Sequence, residues 1–160
     1  MKYSIFILIL LLFAGCKKEA ENPTGPDENR ATGYVRSYVD GVNWEASDIY
    51  VSESGTVINI SAVKSTAEIK LQIQNINQPG NFSIGENEPG FTYFIKAKYI
   101  QKAAGGTSEK IYTAYFRDYS YLTISDISEG TLDADFVFLA YSEDFTDSVN
   151  VTNGAINIDY

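Results

Sequence analysis

The sequence predicts an all-β fold, an antiparallel β-sandwich or closed barrel of roughly ten short strands behind an N-terminal signal peptide. Three observations lead there. From Gly130 to Tyr141, Leu132, Ala134, Phe136, Phe138 and Ala140 alternate with Asp133 and Asp135 along the first part of the run, a period of two that suits an extended strand and not a helix. Turn dipeptides such as Asp40-Gly41, Pro79-Gly80 and Asn153-Gly154 punctuate the chain. No stretch carries the apolar repeat of an amphipathic helix.

At the N-terminus, Met1-Lys2-Tyr3 supplies one positive charge. The apolar run Ile5 to Phe13 that follows is shorter than the about 20 residues a bilayer span needs, so the pattern is that of a signal peptide. It closes on Leu12-Phe13-Ala14-Gly15-Cys16. This resembles a lipobox, the site where bacterial lipoproteins are acylated on cysteine and cleaved just before it, with Phe13 where leucine is usual. The resemblance implies a lipoprotein signal peptide over residues 1–15 and a lipidated Cys16, the chain's only cysteine. One acyl chain alone binds a membrane marginally, so the diacylglycerol and amide-linked chain implied here are what anchor the protein. Lys17 to Thr32 hold two prolines and no large apolar side chain, and so are expected to form a flexible tether. The charges of Lys17-Lys18-Glu19-Ala20-Glu21 resemble the signals that carry some lipoproteins to the outer face of the outer membrane, although a solvated linker also explains them.

Residues 33–160 are expected to be a single β domain. Asp40-Gly41 supplies the positive φ angles of a tight hairpin between Gly33 to Val39 and Asn43 to Ala46, and Trp44 is expected to anchor the core. Ile58, Ile60 and Ala62 alternate with Asn59 and Ser61, and in Glu68 to Gln74 the apolar residues share one face and the long polar ones the other. These two strands pair across Lys64 to Ala67. Phe82 and Ile84 make a short strand, and Tyr93 to Ile100, Ile111 to Phe116 and Tyr121 to Ser125 lead to the long strand. At the end, Asn153-Gly154 reads as a two-residue hairpin loop that sets Val151 opposite Ile156 and Val149 opposite Ile158; a single strand with a bulge at Gly154 is the alternative.

The chain has no histidine and one cysteine, which excludes His-based acid/base chemistry, Ser-His-Asp and Cys-His nucleophiles, and Cys/His zinc sites. Acidic residues outnumber basic ones 21 to 12, for a net charge of −9, and no basic stripe is visible, so nucleic acid is not an expected partner. Asp133 and Asp135 form a carboxylate pair of the kind glycoside hydrolysis uses, but a solvated strand face is the stronger reading. Glu143, Asp144 and Asp147 offer oxygen ligands suited to Ca²⁺, but match no EF-hand spacing and read better as an acidic surface loop, so no cofactor is expected. From Phe91 to Tyr121 the chain is dense in rings, most of them expected to pack. Tyr112, Tyr115, Tyr119 and Tyr121 are the outward rings expected to meet a ligand if one binds.

Four marks in order resemble a group of uncharacterised Gram-negative bacterial lipoproteins with a small β domain of unknown function. They are Asp40 to Ala46, Gly80 to Gly85, Gly130-Thr131 leading into Asp135 to Phe138, and Val151 to Ile156. The resemblance covers most of residues 33–160 and implies fold and cell-envelope location, on either the periplasmic or the surface side of the outer membrane. It supplies no catalytic residue. The expected function is a non-catalytic binding or structural module, held to the membrane by Cys16, for a glycan, a small apolar ligand or an envelope protein. A carboxylate-dependent glycan hydrolase and a lipocalin-like carrier are the alternatives. The glycine-x-tryptophan mark of lipocalins is missing, since Gly41 and Trp44 are separated by two residues.

Overall fold

The computed structural model describes residues 29–85, 91–103, 108–115 and 119–160. Cys16 and the leader lie outside them. The described chain forms antiparallel strands and no α-helix. The first six strands are β1 (Asn29–Arg30), β2 (Thr32–Val39), β3 (Val42–Glu45), β4 (Asp48–Ser54), β5 (Val57–Lys64) and β6 (Ala67–Gln74). The rest are β7 (Gly80–Ser83), β8 (Phe94–Lys102), β9 (Glu109–Thr113), β10 (Tyr121–Ser128), β11 (Thr131–Ser142) and β12 (Ser148–Asp159). Pairing starts at Asn29, inside the stretch expected to be tether, because Ala31 donates its N–H to Ile49 at 2.9 Å and Arg30 reaches Asp48 at 2.6 Å.

The long strand that dominates the sequence, β11, is where the sheet forks. One of its edges pairs with β12 along most of its length. The other is shared: β10 takes Thr131 to Val137, and β9 takes Tyr141 and Ser142. Ser120 fills the fork, its hydroxyl accepting the Leu139 N–H at 3.2 Å and its carbonyl the Ile84 N–H at 2.9 Å. Two wings leave this point. The first runs β9-β8-β6-β5-β4-β1, and the second holds β7-β10-β11-β12-β2-β3. No ladder joins β1 to β3, so of the two architectures the pattern allows, the sheet takes the open one.

The wings face each other across one apolar core. Ile60, Ile69, Leu71, Ile73 and Ile95 come from the first, and Val35, Leu122, Phe136, Phe138 and Ile156 from the second. Trp44 belongs to the same core. Its indole N–H and the hydroxyl of its register partner Ser37 are buried with no hydrogen-bond partner among the described residues. Asp40 (φ 48°) and Gly41 (φ 78°) make the expected tight turn, Val39 pairing with Val42.

The C-terminal hairpin does not form. β12 runs unbroken from Ser148 to Asp159 with a bulge at Asn153 (φ 50°), where Asn153 and Gly154 oppose Ser37 alone. The extra residue switches the inward positions from Val149 and Val151 to Gly154, Ile156 and Ile158. An apolar pattern that changes phase around Asn-Gly is the same for a hairpin and for a bulge. Here the pairing of both halves with β11 and β2 selects the bulge.

Candidate functional site

The tyrosines singled out from the sequence do not form one platform. Tyr112 is 3% exposed, not an outward ring: β9 sets it opposite Tyr99, with ring centroids 6.1 Å apart, and its phenol donates to Asp147 Oδ2 at 3.0 Å. Ile111 takes the outward position instead, beside Ile100. Tyr121 lies exposed on the second wing opposite Val137, Tyr119 is exposed at the fork, and Tyr115 packs half-buried against Phe145 at 5.1 Å.

In the acidic turn after β11, Oδ1 of Asp144 and both carboxylate oxygens of Asp147 already have donors. Asp144 Oδ1 accepts the Ser142 hydroxyl at 2.7 Å and both the hydroxyl and the N–H of Thr146, and these bonds hold its carboxyl below the ordinary range. Asp147 Oδ2 accepts Lys110 Nζ at 2.5 Å and the Tyr112 phenol, and Oδ1 accepts the Ser148 N–H, so Asp147 is held down and Lys110 pushed up. A calcium ion taking Asp144 Oδ1 or Asp147 as ligands would compete with these donors. Among the described residues no group of three His, Cys, Asp or Glu side chains is placed to hold a metal. Glu143 is exposed. Asp133 and Asp135 stand exposed on the outer face of the second wing, the former 3.5 Å from Asn157 Nδ2.

The more extensive feature is a trough across the outer face of the first wing. Strand register builds its floor in two rows. Tyr50, Ser61, Lys70, Lys98, Thr113 and Tyr141 align across six strands from β4 to β11. With about 4.8 Å between neighbouring strands, the row is about 24 Å long. Beside it, Ser52, Asn59, Gln72 and Lys96 form a second row. Within that row Gln72 Nε2 donates to Asn59 Oδ1 at 3.0 Å, and Asn59 Nδ2 lies 3.5 Å from Ser52 Oγ.

Three recesses make up this surface, of about 390, 250 and 630 Å³. They are contiguous. Lys96 and Lys98 line both the first and the second, and Thr113 and Tyr115 both the second and the third. Phe94 adds a ring to the middle one, and Glu143 and Asp144 border the last. The tyrosine and the acidic loop named from the sequence therefore meet at one end of the trough.

At the trough's edge Glu68 is 5% exposed although it sits on the outward side of β6. Burial pushes its carboxyl up, but the Ser61 hydroxyl at 2.5 Å, Lys70 at 3.2 Å and Lys102 at 3.4 Å outweigh that and hold it below its ordinary value. Sequence alternation already exposed Lys70 and Gln72 as outward. What it could not supply was the register that sets Lys98 opposite Lys70 and Lys96 opposite Gln72.

A separate cleft of about 530 Å³ opens at one mouth of the sandwich, lined among others by Glu53, Asn75, Ile127, Glu129 and Tyr160. Burial first, and a 2.9 Å hydrogen bond to Glu53 second, push the Tyr160 phenol well up. No local pattern flags these residues, because they arrive from three separate turns and the chain end.

A family model described as a domain of unknown function, DUF6252, matches residues 31–157. The chain belongs to this family. The matched DUF6252 segment begins between β1 and β2 and ends within β12, so it contains every residue of the trough and both wings except β1 and the end of β12. Neither the curated proteins nor the solved structures contain a match to the chain.

Proposed function

We propose that this DUF6252 protein is a membrane-anchored cell-envelope module that binds an extended, hydroxyl-rich ligand of the glycan type along the trough, without catalysis. The observation that carries the reading is the continuous run of neutral and cationic hydrogen-bonding side chains from Tyr50 to Thr113, ending beside the rings of Phe94 and Tyr115. Amides, hydroxyls and ammonium groups match sugar hydroxyls, and rings offer apolar faces to a sugar. An internal carrier site is a poorer fit, since Phe136, Phe138, Leu122 and Ile69 fill the space between the wings. Acylation at Cys16 supplies the anchor in this reading, and an outer-membrane location follows from it.

The test is retention of the intact chain in gels containing soluble polysaccharides, compared with the variants Gln72→Ala and Tyr115→Ala. The reading expects both to migrate faster than the parent in a binding gel and equally in an empty one. Unchanged retention of both variants contradicts it.

One observation favours a second reading: Glu53 and Glu129 line a single cleft, as a pair of carboxylates does in a glycoside hydrolase. That reading expects Glu53→Gln to abolish polysaccharide cleavage with the fold intact.

A further inference from the structure

We infer that the ligand of the trough is an acidic polysaccharide, one whose sugars carry carboxylate or sulfate groups. This rests on the trough being a glycan site and adds the class of glycan. The chain carries −9, yet the outer face of β6 and β8 presents Lys70, Lys96, Lys98 and Lys102 against the one carboxylate of Glu68. Glu68 is already matched by Lys70 and Lys102. Among the described residues neither Lys96 nor Lys98 has a carboxylate within 4.0 Å; Lys96 Nζ instead lies 4.8 Å from the centre of the Phe94 ring.

Register supplies a second, independent observation. Lys70 and Lys98 are directly opposite each other on neighbouring strands, an arrangement that disfavours folding because like charges face across the ladder. Lys96 is two residues from Lys98 on the same face, so three lysines line one recess, and of these Lys70 is paired with Glu68. An anion seated there removes the repulsion.

Ser61 lies opposite Lys70 and Gln72 opposite Lys96, with Asn59 beyond Gln72, so the lysine cluster is flanked by hydroxyl and amide groups, which suits a polymer that bears hydroxyls beside its charges. Glu109, Glu143 and Asp144 border the far end and confine the acidic sugars to the lysine half. Nucleic acid fits less well. Its affinity comes from many phosphate contacts, and this surface offers few cations within a strongly acidic protein.

The test measures retention of the intact chain by polygalacturonate, a sulfated dextran and an uncharged dextran, for the parent and for Lys98→Glu. The parent is expected to bind both acidic polymers, more weakly as salt rises. Lys98→Glu should lose roughly tenfold in affinity, as expected when a charge-assisted contact is removed. Because the substitution also puts a carboxylate opposite Lys70, its melting temperature should stay level or rise, which separates lost binding from lost folding.

Equal retention by charged and uncharged polymers, unaffected by Lys98→Glu, overturns the acidic class while leaving the glycan site standing. No retention by any polymer overturns both. Tighter binding to duplex DNA or to anionic vesicles than to polygalacturonate also overturns the proposal, as does salt-sensitive self-association that the polymers do not affect.

Discussion

The ring of Phe136 covers Gly154 across the β11–β12 ladder so closely that a Cβ at 154 would lie 2.5 Å from ring atoms Cδ2 and Cε2. The ring in turn stacks on Phe138, with centroids 6.0 Å apart. The bulge at Asn153 and the aromatic pair at the core's centre are thus one packing unit. Gly154→Ala should destabilise the fold by about 1–3 kcal/mol through overpacking. Phe136→Ala should cost about 3–5 kcal/mol through the cavity it leaves. The double variant should lose less than the sum, because removing the ring makes room for the methyl group. Denaturant melts of all four proteins measure this, and strict additivity would show that the contact is not what constrains position 154.

Two buried serines should respond in opposite ways. The Ser120 hydroxyl accepts the Leu139 N–H at the fork, so Ser120→Ala should cost about 1–2 kcal/mol by leaving a buried donor unpaired. The Ser37 hydroxyl has no partner among the described residues, so Ser37→Ala should be neutral or slightly stabilising. Thermal melts of the two variants side by side check the ranking.

Glu68 gives the fold a defined acid sensitivity. Its folded pKa lies below the ordinary value of 4.5, so the stability it contributes is fully present above that pH. It is lost as pH falls through the depressed folded value, when the protonated carboxyl no longer attracts Lys70 and Lys102. Glu68→Gln should be less stable than the parent at neutral pH, and the gap should narrow as the pH drops below 4.5. Stability curves of the two proteins against pH measure it; parallel curves down to strong acid would contradict this role.

Cys16→Ser removes the only thiol that can carry a lipid. The expected outcome is loss of fatty-acid labelling and a shift of the protein from the membrane fraction to the soluble one. Unchanged labelling and fractionation would contradict acylation at Cys16.

The fold was legible in the sequence wherever one strand alone carried the signal. The alternation in β5, β6 and β11 reads directly onto buried and outward faces, and Asp40-Gly41 specifies its own turn. What was not legible depended on pairing. Tyr112 reads as outward because a phenol tolerates water, but the register of β9 on β8 turns it inward to Asp147 and leaves Ile111 outside. Asn153-Gly154 fits a turn and a bulge equally, and only its neighbours on β11 and β2 decide. The trough is the same kind of case, since no segment of sequence contains more than a fraction of either row.

The most direct test of that trough is a map of backbone amide shifts in the isotope-labelled intact chain as a retained polysaccharide is added. The changes should concentrate along Tyr50, Asn59, Gln72, Lys96, Lys98 and Tyr115. Changes centred instead on Glu53 and Tyr160, or on the outer face of the second wing around Asp133 and Asp135, would contradict it.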